Sequence, residues 1–209
     1  MATGRFITLE GGEGAGKSTQ VKALANALRA RGVAVVETRE PGGSPGAEAI
    51  RDLLLTGNAD RWTPRAEALL FAAARADHVA RVIRPAVESG TWVIADRFLD
   101  SSRAYQGGTS GISDEDILTL HRIGSEGFLP DRTLVLTVPE DVAEARTAAR
   151  DGDSVDRIGG RDREYHRGVA RSFQSFAFEA PHRFRLVDAA GDADAVTAGL
   201  LDALADILP

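Results

Sequence analysis

The run Gly11-Gly-Glu-Gly-Ala-Gly16-Lys17-Ser18 limits the fold more than any other stretch of the chain. It matches G-x-x-x-x-G-K-[ST] and stands between two opposed patterns. Residues 5–10 are a short, β-rich apolar run, and residues 17–31 carry Val21, Leu24, Ala25 and Leu28 at helical spacing. A strand that enters a glycine-rich turn and leaves as a helix is a phosphate cradle. The glycines let backbone N–H groups converge on an anion, and the helix N-terminus adds its positive end. In such a cradle Lys17 reaches the β- and γ-phosphates and Ser18 ligates Mg²⁺. Gly11, Gly12, Glu13, Gly14, Ala15, Gly16 and Thr19 complete the nucleotide-binding turn. The dinucleotide fingerprint G-x-G-x-x-G fails here on spacing, and a lysine follows the last glycine. Lysine occurs only at positions 17 and 22, against 25 basic residues in all, so its use in this turn stands out.

The rest of the chain alternates. Further strand-like runs fall at 33–36, 92–95, 133–138 and 185–188. Helical spacing covers 47–55, 64–88, 113–126, 139–150, 164–179 and 193–208, with a break or kink expected near Pro85. This alternation predicts an α/β P-loop NTPase fold: a five-stranded parallel sheet with helices on both faces. Residues 151–160 are polar and without period, but strand and helix signals resume after them. They read as a lid, about 147–163, within a single domain over 1–209.

Composition excludes several classes. Without cysteine there is no disulfide, no thiolate metal site and no thiol nucleophile. The longest mid-chain apolar run, 68–74, is far below the roughly 20 residues of a membrane span. No apolar leader precedes the first charges, so a cytoplasmic protein with no membrane partner is expected. A net charge of −6 argues against a broad nucleic-acid surface.

Asp96-Arg97 follows directly on the strand at 92–95, where ligands of open α/β sheets bind. Asp96 is placed to hold Mg²⁺ or its waters, or to cap the next helix; both readings stay open. Arg97 suits a bidentate grip on phosphate.

Several segments together carry a resemblance. They are 6–19 with the phosphate turn, Thr38-Arg-Glu-Pro-Gly-Gly43, Glu48-Ala-Ile-Arg-Asp-Leu-Leu-Leu55 and Leu69-Leu-Phe-Ala-Ala-Ala-Arg-Ala-Asp-His78. Asp96-Arg-Phe-Leu-Asp-Ser-Ser-Arg-Ala-Tyr-Gln-Gly107 and Pro130-Asp-Arg-Thr-Leu-Val-Leu136 complete the set. In this order they resemble the bacterial thymidylate kinases of the nucleoside-monophosphate kinase group, over nearly the whole length. The resemblance implies ATP-dependent phosphorylation of dTMP to dTDP, with Mg²⁺, by a homodimer built through the helices at 64–88 and 113–126. It implies that Phe71 stacks on thymine and that Arg75, one turn later, donates to a thymine carbonyl. Arg51 and Arg97 would hold the acceptor phosphate. Tyr105 would crowd the sugar 2′ position, Gln106 would lie near base or sugar, and Glu13 would reach the 3′-hydroxyl. Taken alone, Phe71 also reads as a core residue, Arg75 as a solvated helix face and Glu13 as an exposed filler. Ser101 and Ser102 either bond the base or cap a helix.

Phosphoryl transfer needs positive charge on the moving group. No arginine lies between Gly11 and Lys17, whereas Arg146, Arg150, Arg157, Arg161, Arg163, Arg167 and Arg171 cluster around the lid. The chain therefore resembles the subclass that supplies its arginines from the lid. Arg150 is expected as the transition-state arginine, Arg157 as its partner and Arg146 as an adenine-stacking residue. Each also reads as a solvated cation paired with Asp151, Asp153, Asp156 or Asp162. Ile158-Gly159-Gly160, Phe173 and Thr137 depart from the family pattern. A kinase for another nucleotide acceptor shares the cradle and lid but leaves Phe71, Arg75 and Tyr105 without a joint task. A nucleotide switch would call for N-K-x-D, which is absent.

Overall fold

Five parallel strands form the sheet in a computed structural model that describes residues 4–58, 60–108, 111–151 and 157–208, the side chains of 150 and 151 excepted. The central strand β1 (Phe6–Glu10) is buried at every residue. Such a strand needs cover on both faces. Its neighbours are β3 (Trp92–Asp96) and β4 (Arg132–Thr137), with β2 (Val35–Arg39) and β5 (Phe184–Asp188) outside them. The order is β2-β3-β1-β4-β5.

Alternation along β1 divides the core. Ile7 and Leu9 pack on Leu24 and Leu28 of α1 (Lys17–Arg29) and on Val196 and Leu200 of α9 (Ala193–Ala203). Phe6 faces the other way, among Val79, Ile83, Phe98 and Ile117. That layer is built from α3 (Pro64–His78), α4 (Arg84–Glu88) and α6 (Asp114–Ser125). Near β4 and β5, α8 (Arg163–Glu179) adds Val169 and Phe173 against Val135 and Phe184. The remaining helices are α2 (Pro45–Leu55), α5 (Leu99–Ser102) and α7 (Glu140–Asp151). No described helix is long and apolar enough to cross a membrane.

The chain leaves β1 toward β2 and leaves β3 toward β4, on opposite sides of this adjacent pair. Their carboxyl ends therefore border an open crevice. Both suspect turns, the one after Glu10 and the one after Asp96, empty into it.

Three local expectations need correction. The second strand runs 35–39, not 33–36. It is an edge strand, only partly buried, and Glu37, Thr38 and Arg39 hide it from an apolar pattern. Of the break or kink expected near Pro85, the break is absent: a wide turn carries α3 on into α4. The proline ring lies two residues after this turn, Val79–Ile83, where the Arg84 N–H bonds five residues back to the Val79 carbonyl. That wider spacing absorbs the ring and the missing N–H. Residues 99–107, not assigned to an element from sequence, form α5 and a second wide turn, Arg103–Gly107.

Candidate active site

Gly11 leaves β1 at φ 136°, and a Cβ there would stand 2.5 Å from the Leu136 carbonyl oxygen. Only glycine fits. The turn folds back on Lys17, whose ammonium donates to the Gly11 and Gly12 carbonyls at 3.1 and 2.7 Å. Burial, then the Arg97 charge, pushes the Lys17 pKa down to about 8, while Glu13, Asp96 and Glu10 oppose the shift. Ser18 donates to Asp96 Oδ2 at 2.5 Å, across the seam between α1 and β3. Phe98 is the N-cap of α5 and no side chain caps it, so Asp96 is not a helix cap.

Arg97 has φ 68°, a left-handed backbone that costs a non-glycine residue about 1–3 kcal/mol. Its N–H bonds the Leu9 carbonyl at 3.0 Å. Its guanidinium bonds Glu13, the Gly11 carbonyl and Ser101 Oγ, and lies 5.0 Å from the Tyr105 ring centre. The strained residue thus ties both crevice turns together.

Glu10 fastens the same turn from below. Its carboxylate accepts the Phe98 N–H at 2.8 Å, the Ser101 N–H at 3.2 Å and the Ser101 hydroxyl at 2.6 Å. Burial first, and then Asp100, raise its pKa to about 7. The folded state therefore holds this proton up to about pH 7, whereas the unfolded chain releases it near 4.5. The associated stability is full below pH 4.5 and is lost as pH rises through 7, a change of about 3 kcal/mol. Denaturant titrations across that window should show this loss in the native chain and not in Glu10→Gln. Parallel pH curves for the two would refute the assignment.

The crevice opens into a cavity of about 470 Å³. Its walls include Glu13, Gly14, Gly16, Lys17, Ser18, Thr19, Arg51, Phe71, Arg75, Asp96, Arg97, Ser101, Tyr105 and Gln106, all singled out from sequence. Phe71 is only partly buried and faces this space. Arg75 is 3% exposed, so it is not a solvated helix face. Its Nε donates to Glu40 at 2.8 Å, and its Nη2 to Ser102 Oγ at 2.8 Å and the Phe98 carbonyl at 3.3 Å. His78 bonds the other Glu40 oxygen at 3.0 Å and Thr38 at 2.6 Å. A Cβ on Gly43 would stand 2.3 Å from this imidazole, so the loop after β2 requires glycine there. Arg51 donates to the Pro41 carbonyl at 2.7 Å. The Ser101 hydroxyl is spent on Glu10; Ser102 is the serine that meets Arg75.

A second cavity, of about 360 Å³, adjoins the phosphate turn at Gly14, Ala15, Gly16 and Thr19. Arg146 lines it, its guanidinium held by the Ala189 and Gly191 carbonyls at 2.9 and 3.3 Å. Arg157 lines neither cavity. It turns to α3, donating to Glu67 at 2.5 Å and to the Leu54 carbonyl at 2.8 Å. The side chain of Arg150 and all of residues 152–156 lie outside the described residues.

The family model for thymidylate kinase matches residues 9–199. The chain belongs to the thymidylate kinase family. A thymidylate kinase of Rhizorhabdus wittichii is 65% identical over 206 residues, 99% of each chain. One from Bradyrhizobium sp. strain ORS 278 is 48% identical, over 98% of this chain and 91% of its own. The crystal structure of thymidylate kinase from Ehrlichia chaffeensis matches with a TM-score of 0.79 at 30% identity, covering 97% of this chain and 99% of that one. This thymidylate kinase family member thus has the P-loop sheet expected of it.

Sequence reading missed three carboxylates that organise the site: Glu10, Glu40 and Glu67. For Glu67 a signal was present. Glu67, Phe71 and Arg75 recur every four residues and share one face of α3. A glutamate on the same face as a stacking ring and a buried arginine has a task other than solvation.

Proposed function

We propose that the chain transfers the γ-phosphoryl group of ATP to dTMP, giving ADP and dTDP. The observation that carries this reading is the convergence of Phe71, Arg75, Arg97 and Tyr105 on one cavity with Lys17 and Ser18. Phe71 offers a ring face to thymine. Arg75 uses Nε and Nη2 on the protein, which leaves Nη1 for a thymine carbonyl. Arg51 and Arg97 grip the acceptor phosphate, Tyr105 disfavours a 2′-hydroxyl, and Gln106 and Glu13 border base and sugar. Ser101 supports Arg97 through its hydroxyl.

An oxygen of the dTMP phosphate attacks in line, and no covalent enzyme intermediate is needed. Lys17 and Arg97 neutralise the charge that spreads over the transferring group, with Arg150 as the arginine added from the lid at about 147–163. Ser18 and Asp96 present two hard oxygens side by side, a donor set that fits Mg²⁺. Held by Ser18 and Asp96, Mg²⁺ would supply positive charge against the triphosphate. Arg146 flanks the second cavity, where the adenine of ATP fits between it and the loop at 189–193. We read residues 1–209 as one cytoplasmic kinase domain, without a membrane or nucleic-acid partner.

The deciding experiment is ADP release with ATP and Mg²⁺, comparing dTMP, dUMP, dCMP, UMP and AMP. A strong preference for dTMP supports the pocket; preference for another acceptor discards it. Phe71→Ala should raise KM for dTMP by about 10–100-fold, the value of one stacked base, with KM for ATP little changed. An unaltered dTMP KM would return Phe71 to a packing role.

A homodimer through α3 and α6 also belongs to this reading. Leu69 on α3 is 55% exposed and Ile123 on α6 is 75% exposed, and the two helices pack side by side. Exposed apolar side chains on paired helices suit a second copy. Light scattering should give a dimer for the native chain and a monomer for Leu69→Asp/Ile123→Asp. A dimer that survives the double change would move the interface elsewhere.

A further inference from the structure

Glu67 is 1% exposed, in the first turn of α3, and lies within a shell of donors from distant parts of the chain. Gln106 Nε2 donates to its Oε1 at 2.9 Å. Arg157 Nη2 donates to Oε2 at 2.5 Å, and Arg161 Nη2 reaches both oxygens, at 3.0 and 2.8 Å. Two cations and an amide on one buried carboxylate are more than charge balance requires. A carboxylate buried away from water needs partners, but a single arginine fork meets that need.

The donors share a location. Gln106 lines the large cavity directly. Arg157 and Arg161 bracket Ile158 and Gly159, which line the same cavity from the opposite chain segment. Arg157 is also anchored to the Leu54 carbonyl at the end of α2, and Arg161 bonds the Tyr165 hydroxyl, which itself donates to the Tyr105 carbonyl at 2.8 Å. One side chain on α3 therefore bonds to both walls between which Phe71, four residues along the same helix, faces the cavity.

We propose that Glu67 is a positioning residue for the acceptor: by holding Gln106 and the 157–161 turn at once, it sets the width of the pocket around the nucleotide that Phe71 and Arg75 receive. This rests on the dTMP reading above. Glu67 does not touch the reacting atoms. It makes occupancy of the acceptor pocket and seating of the 157–161 turn favour each other, because both depend on the same carboxylate.

The test uses Glu67→Gln, which removes the charge but keeps the volume and one acceptor oxygen, whereas an alanine would also open a cavity and take away both acceptors of Arg157 and Arg161 at this position. Arg161→Gln is the second variant, with its side chain at 23% exposure and so safer for folding. Steady-state kinetics and limited trypsin digestion are read together, with cleavage after Arg157 and Arg161 located by mass spectrometry. In the native chain, dTMP should slow this cleavage by roughly fivefold or more, a typical coupling factor. In Glu67→Gln the free protein should be cut faster at these two sites, and dTMP should protect it little. KM for dTMP should rise by about tenfold with KM for ATP within about twofold, the pattern of a lost acceptor contact. Arg161→Gln should show the same pattern to a smaller degree.

Native dTMP protection and a native dTMP KM in Glu67→Gln would overturn the proposal. So would equal loss of KM for both substrates with cleavage spread over the whole chain, which is the mark of a purely structural role. If the native chain does not phosphorylate dTMP, the functional reading falls. Cleavage after Arg157 and Arg161 in the free proteins then still judges Glu67: faster cutting in Glu67→Gln supports the seat, and an unchanged rate refutes it.

Discussion

Lys17→Ala should lower kcat by about 100- to 1,000-fold or more, the cost of removing one preorganised charged donor from a developing anion. The ammonium sits at the floor of the phosphate turn, bonded to the Gly11 and Gly12 carbonyls. Those two bonds aim it into the turn, so no reorganisation is needed when a phosphate arrives. Its depressed pKa, about 8, supplies a second signature. In the free enzyme the positive charge is present below pH 8 and lost above it, so kcat/KM for ATP should fall by about tenfold per pH unit beyond that point. Binding of phosphates restores the charge, so kcat should bend at higher pH than kcat/KM. A Lys17→Ala enzyme with native turnover, or a flat profile through pH 9, would remove Lys17 from the chemistry.

The second large effect is on stability as well as on binding. Arg75→Ala leaves Glu40 buried with His78 and without its guanidinium. Breaking a buried ion pair from one side costs about 3–5 kcal/mol, which in a chain of this size is a fall in Tm of about 6–20 °C. The same change removes the donor proposed for thymine, so KM for dTMP should rise in the surviving folded fraction. Glu40→Gln/Arg75→Met separates the two effects. Removing both charges should recover much of the lost Tm, since no charge stays buried alone, while KM for dTMP stays high. Recovery of both would show that Arg75 serves the fold and not the acceptor.

What the residues revealed in advance follows from how far each interaction reaches along the chain. The strand at 6–10, the turn after it and the helix from 17 are local patterns, and they were legible. So was the crevice, since Asp96-Arg97 lies directly at a strand end. The half-exposed edge strand at 35–39 has no apolar signature to read. The wide turn before Pro85 is invisible because a proline inside a helix signals a break, and only packing of Val79 and Ile83 into the core decides for continuity. The buried carboxylates are the hardest class. Glu40 meets Arg75 across 35 residues, Glu10 meets Phe98 across 88, and Glu67 meets Arg157 across 90. No periodicity links such pairs, and a glutamate in a one-dimensional reading looks solvated by default. Arg157 shows the same limit: its charge was visible in the sequence, its contact with Glu67 was not.

The four-residue rhythm of α3 carries an evolutionary consequence. Glu67, Phe71 and Arg75 lie along one rail, so the acceptor pocket can be rewritten by exchanging single letters on it. It cannot be respaced. One residue inserted between 67 and 75 would rotate everything beyond it by about 100° around the helix. The clamp on Glu67 would then face one way and Arg75 another. Descent along this helix is therefore free to substitute but closed to insertion and deletion, whereas the loop that precedes it, between α2 and α3, can change length at little cost.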